Sequence, residues 1–569
     1  MSENCKKPDM PKITIDGRQI EARERQTIIE AAREHGIEIP HFCWHPQLSV
    51  SGNCRMCLVE VEKLPKLVIA CSTQVGDGMV VHTKSPEVIK AREAVMEFLL
   101  INHPLDCPIC DEAGECKLQD YAYAYSVGKS RFEEDKVHKP KRVELGPHVM
   151  LDTERCIMCS RCVRFCEEIA KKPQLTFTHR GDHVQLTTFP GEQLDNPYSM
   201  NTIDICPVGA LTSRDFRFKA RVWEMSATET ICPGCARGCN IYSWVRNNQI
   251  LRLTPRFNPE VNDYWMCDEG RLSSFHHVNA ETRVKSPVMR KEGEVVEAGW
   301  DEAIARVASE FKAFRKSECA VIVSAYSTNE DTFAAQKFAR QVLGTKRVAF
   351  RSHVAENEGD DILRRSDTTP NSRGAREMGI GAGEPFEEIL RAMREGQVKA
   401  LFVVEDNIAA DPVVAQVLPK LDCLVVSCSN ENETTAVADV VLPASTFAEK
   451  NGTFTNFEGR VQRIRPSVVT LDRDRALDGY AMSRLDRYGS AHDRWAKGPK
   501  RDARPTWRII AGIASLMGVR LKYNTSEDVF NELATVFGGF KGMSYRKLGN
   551  KGLALSAVEE KVQSARSTH

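Results

Sequence analysis

The hydrophobic rhythm of the chain changes along its length. Near the start, "KITIDGRQIEA" alternates apolar and polar residues on both sides of Asp16-Gly17, which predicts two strands joined in a hairpin. "TIIEAAREHG" then predicts a helix, with Thr27 and Glu30 as a capping box and Gly36 at the stop. "CLVEV", "LVIAC" and "MVVHT" predict further strands, so residues 12–84 form a small mixed sheet with one helix. Ser85-Pro86 opens a helix in which Val88, Ala91, Val95, Phe98 and Leu99 share one face, and His103-Pro104 closes it. Residues 105–225 are short in regular elements and end in a predicted helix through "SRDFRFKARVWEM". From about residue 300 the pattern alternates between helix and strand: "WDEAIARVASEFKAFRK", "CAVIVSAYS", "EDTFAAQKFARQVLG", "RVAF", "FEEILRAMREG", "KALFVVEDN", "PVVAQVLPKL", "CLVVSC". Short apolar strands between amphipathic helices imply a parallel sheet covered on both faces.

Composition narrows the class. At 569 residues the chain is long enough for three or more domains. Its 78 basic and 78 acidic side chains cancel, so no global field points to nucleic acid or an anionic membrane. No apolar run approaches the roughly 18 to 20 residues that span a bilayer, so the chain is expected to be soluble by itself. "MSENCKKPDMPK" has no apolar h-region and carries Glu3 and Asp9, which argues against a secretory or transit signal and makes a reducing compartment the expectation. The charged stretch 471–505 reads as a solvated insertion. "GIGAG" at 379–383 follows no convincing strand and reads as a loop rather than a dinucleotide site.

Cysteine placement changes the picture most. Of 20 cysteines, 17 precede residue 268, in tight C-x-x-C groupings that favour metal ligation over disulfides. The first set, Cys43, Cys54, Cys57 and Cys71, suits a two-iron cluster of the ferredoxin kind, although its first gap is longer than in plant-type ferredoxins. Gly52 beside it would let backbone amides approach cluster sulfur. The second set is His103, Cys107, Cys110 and Cys116, which leaves iron and zinc both open, because zinc also accepts three cysteines and a histidine. The third is Cys156, Cys159 and Cys162 with a remote Cys206-Pro207, the ferredoxin signature of a [4Fe-4S] cubane. The fourth, Cys232, Cys235, Cys239 and Cys267 in glycine-rich loops, suits another cubane, with zinc again the bland alternative. Cys5, Cys166, Cys319, Cys423 and Cys428 remain, the last three in or beside apolar strands where a thiol acts as a small hydrophobe.

With these sets in place the chain resembles the large iron-sulfur subunit family of respiratory NADH:quinone oxidoreductase, complex I. "LPASTFAEKNGTFTNFEGRVQRIRP" at 442–466 is similar to a stretch of that family's C-terminal, molybdopterin-enzyme-like domain. The resemblance implies a multidomain α/β and α+β chain. Residues 1–84 would be a β-grasp [2Fe-2S] domain, 85–147 the His-ligated [4Fe-4S] domain, 148–226 a ferredoxin-like [4Fe-4S] domain, 227–285 a four-cysteine [4Fe-4S] domain, and 286–569 a shortened molybdopterin-oxidoreductase-like domain. It implies one [2Fe-2S] and three [4Fe-4S] clusters, no molybdenum, and His103 as a cluster ligand. Electrons would pass from a flavin-bearing NADH-oxidising subunit through the first set and the Cys156 set towards quinone-facing iron-sulfur subunits, with no substrate-converting site in this chain. The Cys232 cluster would lie off that route. The implied setting is the cytoplasmic side of a bacterial inner membrane, as a peripheral subunit that meets the membrane only through its complex and binds no nucleic acid. The alternative is the catalytic subunit of an NAD-linked formate dehydrogenase or related molybdenum enzyme, which would need a Cys or selenocysteine metal ligand beyond Cys267.

Overall fold

The computed structural model describes residues 10–126, 128–351, 353–381, 384–472 and 498–556. Cys5 and residues 473–497 of the charged stretch lie outside the described residues. The chain forms two compact units, Met1–Trp223 and Glu224–His569.

The first unit begins with the predicted hairpin, β1 (Lys12–Ile15) and β2 (Arg18–Glu21), whose ends pair as Ile15 with Arg18 and Lys12 with Glu21. Asp16 and Gly17 both take left-handed backbone, φ 46° and 80°, the conformation a two-residue turn of this hand requires. Helix α1 (Ile28–Glu34) carries the capping box: the Thr27 backbone N–H donates to the Glu30 carboxylate at 2.8 Å. Strands β3 (Leu58–Val61), β4 (Val68–Ile69) and β5 (Val80–His82) complete a sheet of order β2-β1-β5-β3-β4, with β1 and β5 parallel. Ile13, Ile15, Ile28, Ile29, Val59 and Val81 are its buried core, each such side chain contributing about 1.5–3 kcal/mol by burial.

Helix α2 (Pro86–Ile101) starts where Ser85-Pro86 predicts, with the Ser85 hydroxyl accepting from the Val88 N–H. Its inner face differs from the apolar stripe read from sequence: Val88, Arg92 and Met96 are buried, and Phe98 is 77% exposed. Arg92 turns inward because carbonyls face it. Its guanidinium donates to Thr83 O at 2.9 Å, Leu58 O at 3.0 Å and the Tyr125 hydroxyl at 3.2 Å. A buried carbonyl without a donor costs more than burying an arginine stem, so the fork wins over a leucine.

Further on, helix α3 (Lys117–Tyr125) packs on α2, and β6 (Val143–Glu144), β7 (Val149–Leu151) and β10 (Leu211–Ser213) form a three-stranded sheet. Helix α4 (Arg161–Glu168) and the hairpin β8 (Leu175–Thr178) and β9 (Gln185–Thr188) lie between in sequence. The helix predicted through "SRDFRFKARVWEM" is not formed: this stretch runs as turns, with a single 3-10 turn at Val222–Glu224. The Asp111 carboxylate takes the Phe218 N–H at 3.0 Å, Phe218 has φ +64°, and the Arg221 guanidinium donates to the Cys110 and Pro108 carbonyls. Tertiary partners thus claim backbone donors that a helix would keep internal.

The second unit opens with an antiparallel sheet of β11 (Ser226–Ile231), β12 (Asn240–Arg246) and β13 (Gln249–Pro255). Its main body is a seven-stranded sheet of β14 (Val288–Lys291), β15 (Glu294–Glu297), β16 (Cys319–Ser324), β17 (Val348–Arg351), β18 (Ala400–Val404), β19 (Cys423–Cys428) and β20 (Val440–Pro443), ordered β15-β14-β20-β19-β18-β16-β17. The five strands β16 to β20 are mutually parallel, as the alternating pattern predicts, and β14 and β15 add an antiparallel edge. Every residue of β16 is buried, Val321 and Val323 on one face and Ala320 and Ile322 on the other. This two-sided burial is why the strand reads as an unbroken apolar run. "PVVAQVLPKL" yields only a single turn at Pro412–Ala415 and a 3-10 turn at Leu418–Lys420, because Pro419 cannot continue the ladder. In the stretch 379–383, Gly379 follows the helix Ser372–Glu377, Gly381 bridges to Ala349, and residues 382 and 383 lie outside the described residues. Among the described residues no helix is long and apolar enough to cross a membrane.

Candidate metal centres

The four predicted sets each gather in space. In the first, Cys43, Cys57 and Cys71 are buried, and the thiols stand as two hydrogen-bonded pairs, Cys43 with Cys54 and Cys57 with Cys71. The shared proton holds Cys43 low, at about 5, while it drives Cys54 up. Gly52, φ +63°, turns the loop that carries Cys54.

The second set lines one cavity with His103, Cys107, Cys110 and Cys116, joined by Asp106, Arg155 and Gly209. Local structure explains each position: His103 follows the end of α2, Cys107 starts the 3-10 turn Cys107–Ile109, Cys110 ends it, and Cys116 precedes α3. Gly209 must be glycine, since a Cβ there would lie 2.3 Å from Cys110 Sγ. Burial, with Arg155 and Lys136 nearby, lowers His103 to about 4. The imidazole is therefore neutral at physiological pH, the form that ligates metals. Arg155 is held by Asp106 at 2.9 Å and Asp152 at 3.2 Å.

The third set, Cys156, Cys159, Cys162 and Cys206, lines a cavity whose other walls include Ile157, Phe177, Leu186, Val208 and Leu211. Met158 and Ser160 take φ +54° and +59°, which coils the C-x2-C-x2-C ribbon round the cavity before α4 begins. Cys166, one turn after Cys162 on α4, is fully buried and bonds to the Asn196 side chain, not to this cavity. The fourth set lines its own cavity with Cys232, Cys235, Cys239 and Cys267 and with Gly234, Gly238 and Gly270. Backbone N–H groups donate to its sulfurs, Gly270 to Cys267 at 3.3 Å and Gly234 to Cys232 at 3.4 Å.

Burial pushes the Cys116, Cys156 and Cys267 thiols up to about 12. A thiol pushed up in this way is deprotonated when it coordinates a metal cation. Among the described residues no three His, Cys, Asp or Glu donors converge on a single ion-sized point. Sequence reading missed Arg155, Arg161, Arg164 and Gly209; the signal for the arginines was their interleaving with the third set in "RCIMCSRCVRFC". Cys319, Cys423 and Cys428 are buried in β16 and β19, as expected for small hydrophobes.

Family models match along the chain in register with these sets. They are a 2Fe-2S iron-sulfur cluster binding domain at residues 9–86, the NADH-ubiquinone oxidoreductase-G iron-sulfur binding region at 92–131, the ferredoxin-like domain of NADH-quinone oxidoreductase subunit 3 at 146–212, the molybdopterin oxidoreductase Fe4S4 domain at 225–279, and molybdopterin oxidoreductase at 283–372 and 364–475. Fold and sites thus define an iron-sulfur protein with 2Fe-2S and 4Fe-4S binding domains ahead of a molybdopterin-oxidoreductase-like domain. The G subunit of NADH-quinone oxidoreductase from Rickettsia bellii is 44% identical over 58% of this chain and 48% of its own length. Its counterpart from Streptomyces coelicolor is 39% identical over 68% of this chain and 46% of its own. A crystal structure of an NAD+-reducing [NiFe]-hydrogenase matches 37% of this chain and 91% of that one at 31% identity, with a TM-score of 0.34. The chain is a homologue of the G subunit of NADH-quinone oxidoreductase, and it spans about half the length of the curated relatives it matches.

Proposed function

We propose that this chain is the electron-carrying iron-sulfur subunit of a respiratory NADH:quinone oxidoreductase. Its four donor sets would hold one [2Fe-2S] cluster, through Cys43, Cys54, Cys57 and Cys71, and three [4Fe-4S] clusters. The last three would be held by His103, Cys107, Cys110 and Cys116; by Cys156, Cys159, Cys162 and Cys206; and by Cys232, Cys235, Cys239 and Cys267. The observation that carries this reading is the grouping of every set into one four-donor site, three of them round separate cavities. The two thiol pairs of the first set match a centre in which each of two irons takes two cysteines. Such clusters supply reversible one-electron storage. The protein's own contribution is to bury the donors, aim amide N–H groups at sulfur and fix the spacing between centres. Electrons would enter from a flavin-bearing NADH-oxidising subunit and leave towards quinone-facing subunits, on the cytoplasmic side of a bacterial inner membrane. The five domains would divide at residues 84, 147, 226 and 285.

Molybdenum does not belong to this reading. The second unit has a cavity of about 640 Å³ beside the fourth set, lined by charged residues Glu269, Glu358, Glu405 and Arg364. Glu358 is paired with Arg364 and Glu405 with Lys450, so the arginine lining the cavity is already engaged, which ill suits a phosphorylated, anionic pterin cofactor. Cys428 lines this cavity, but burial raises its thiol and the Asn432 amide donates to it at 3.2 Å. Iron, sulfide and molybdenum analysis with EPR of the reduced protein tests the assignment: one two-iron and three four-iron centres are expected. Stoichiometric molybdenum, or a colourless zinc protein, would overturn it.

A further inference from the structure

The loop of the first set and the ribbon of the third set are stitched together by one helix. Arg164 on α4 donates from Nη2 to Cys43 O at 2.6 Å and to Cys159 O at 3.3 Å, from Nε to Ser160 Oγ at 3.2 Å, and from Nη1 to Ser49 O. Arg161, one turn earlier and buried, donates from Nη2 to Trp44 O at 2.6 Å and from Nη1 to Ile205 O at 3.0 Å. The two guanidinium groups therefore each reach one carbonyl at or beside a first-set cysteine and one at or beside a third-set cysteine. Further contacts close the same seam: Asn53 Nδ2 donates to Met158 O at 3.0 Å, Ser160 Oγ to Ser51 Oγ at 3.2 Å, and the Ser49 N–H to the Glu168 carboxylate at 2.8 Å.

Resting on the functional reading above, we infer that Arg164, supported by Arg161, is a positioning residue for electron transfer directly between the first and third centres. Its fork fixes their separation, and its permanent charge favours the reduced form of both. With clusters held by Cys43, Cys54, Cys57 and Cys71 and by Cys156, Cys159, Cys162 and Cys206, the step would move one electron from the first centre to the third. No bond breaks and no proton moves. Transfer between fixed centres slows steeply with separation, so a brace spanning both ligand loops matters more than one on either loop. Arginine suits this task because its planar fork reaches two carbonyls at once and stays protonated, whereas lysine presents a point charge. A positive group beside a cluster whose negative charge grows on reduction raises its potential, and the partial burial of Arg164 reduces screening by salt.

The test uses the full chain with its clusters reconstituted, as wild type, Arg164→Gln and Arg164→Lys, in EPR-monitored redox titration. In Arg164→Gln both centres are expected to become harder to reduce, by about tenfold in each equilibrium, or about 59 mV for one electron, with weakened spin coupling between them. Arg164→Lys is expected to restore the midpoints but not the coupling. Wild-type midpoints and coupling in a cluster-replete Arg164→Gln protein would overturn the inference. Should that variant lose its clusters, unchanged coupling in Arg164→Lys would overturn it instead. Absence of the two signals from the wild type would refute the functional reading itself, before any substitution is compared.

Discussion

His103 is the residue whose role depends most on its surroundings. Burial keeps its imidazole neutral, and three thiols share its cavity. A neutral ring in place of a thiolate removes one negative charge from around the iron, which raises the potential, as histidine ligation does in Rieske centres. His103→Cys is therefore expected to keep a four-iron centre with a lower midpoint, and His103→Ala to weaken or lose it, both read by redox titration with EPR. An unchanged signal in His103→Ala would make the histidine a bystander. Cys166 is the contrasting case: it continues the spacing of the third set, yet α4 points it to Asn196.

At the level of single elements, local chemistry and tertiary demand compete, and α1 and α2 show opposite outcomes. In α1 the capping box and apolar face agree with the packing, so Thr27→Ala is expected to destabilise the first unit by about 1 kcal/mol, measurable as a lower urea midpoint with unchanged slope. In α2 the cap follows the local signal, but the buried face is decided by Leu58 O and Thr83 O, which need the Arg92 donors. Arg92 lies one turn after Val88, on the face that helical periodicity turns inward, although its residue type alone suggests surface.

Across the second unit the stretch 442–466 is legible as a family pattern, and its physical content is a set of buried charges. Glu449 receives a bidentate pair from Arg283 at 2.8 and 2.9 Å, both side chains buried, and Lys450 bridges Asp331 and Glu405, each at 2.7 Å. Burial works against the Glu449 charge, but Arg283 holds its carboxyl below the usual range. Glu449→Ala would strand a buried guanidinium, and a loss of about 3–5 kcal/mol is expected in denaturant melts of this unit. Arg283→Met with Glu449→Leu should recover most of it. Glu330 gives a pH signature. Its carboxyl is buried and pushed up to about 7, so between its unfolded value, about 4.3, and 7 the folded state binds the extra proton. Stability of this unit is expected to fall as pH rises through that window. Glu330→Gln should flatten the slope, since its amide oxygen can accept the Thr453 N–H and its NH2 can face the Thr453 and Tyr545 hydroxyls. A slope unchanged in that variant would assign the pH response to other groups.

Sequence alone determined whatever rests on short-range chemistry. The Asp16-Gly17 turn, the Thr27 cap and the unbroken apolar run of β16 all involve neighbours in the chain or a period that a single residue type reveals. Tertiary structure decided the rest, because it turned on groups far apart in sequence. The stretch after Ser213 stays unwound because Asp111 takes the Phe218 N–H, about a hundred residues away. Gly209 is required only because Cys110 lies against it. Arg92 is buried for two distant carbonyls. Arg161 and Arg164 look like ordinary basic residues among cysteines until folding brings Trp44 and Cys43 against them. Periodicity and spacing describe a chain's own neighbours; an unpaired carbonyl on another loop leaves no mark on the sequence that must answer it.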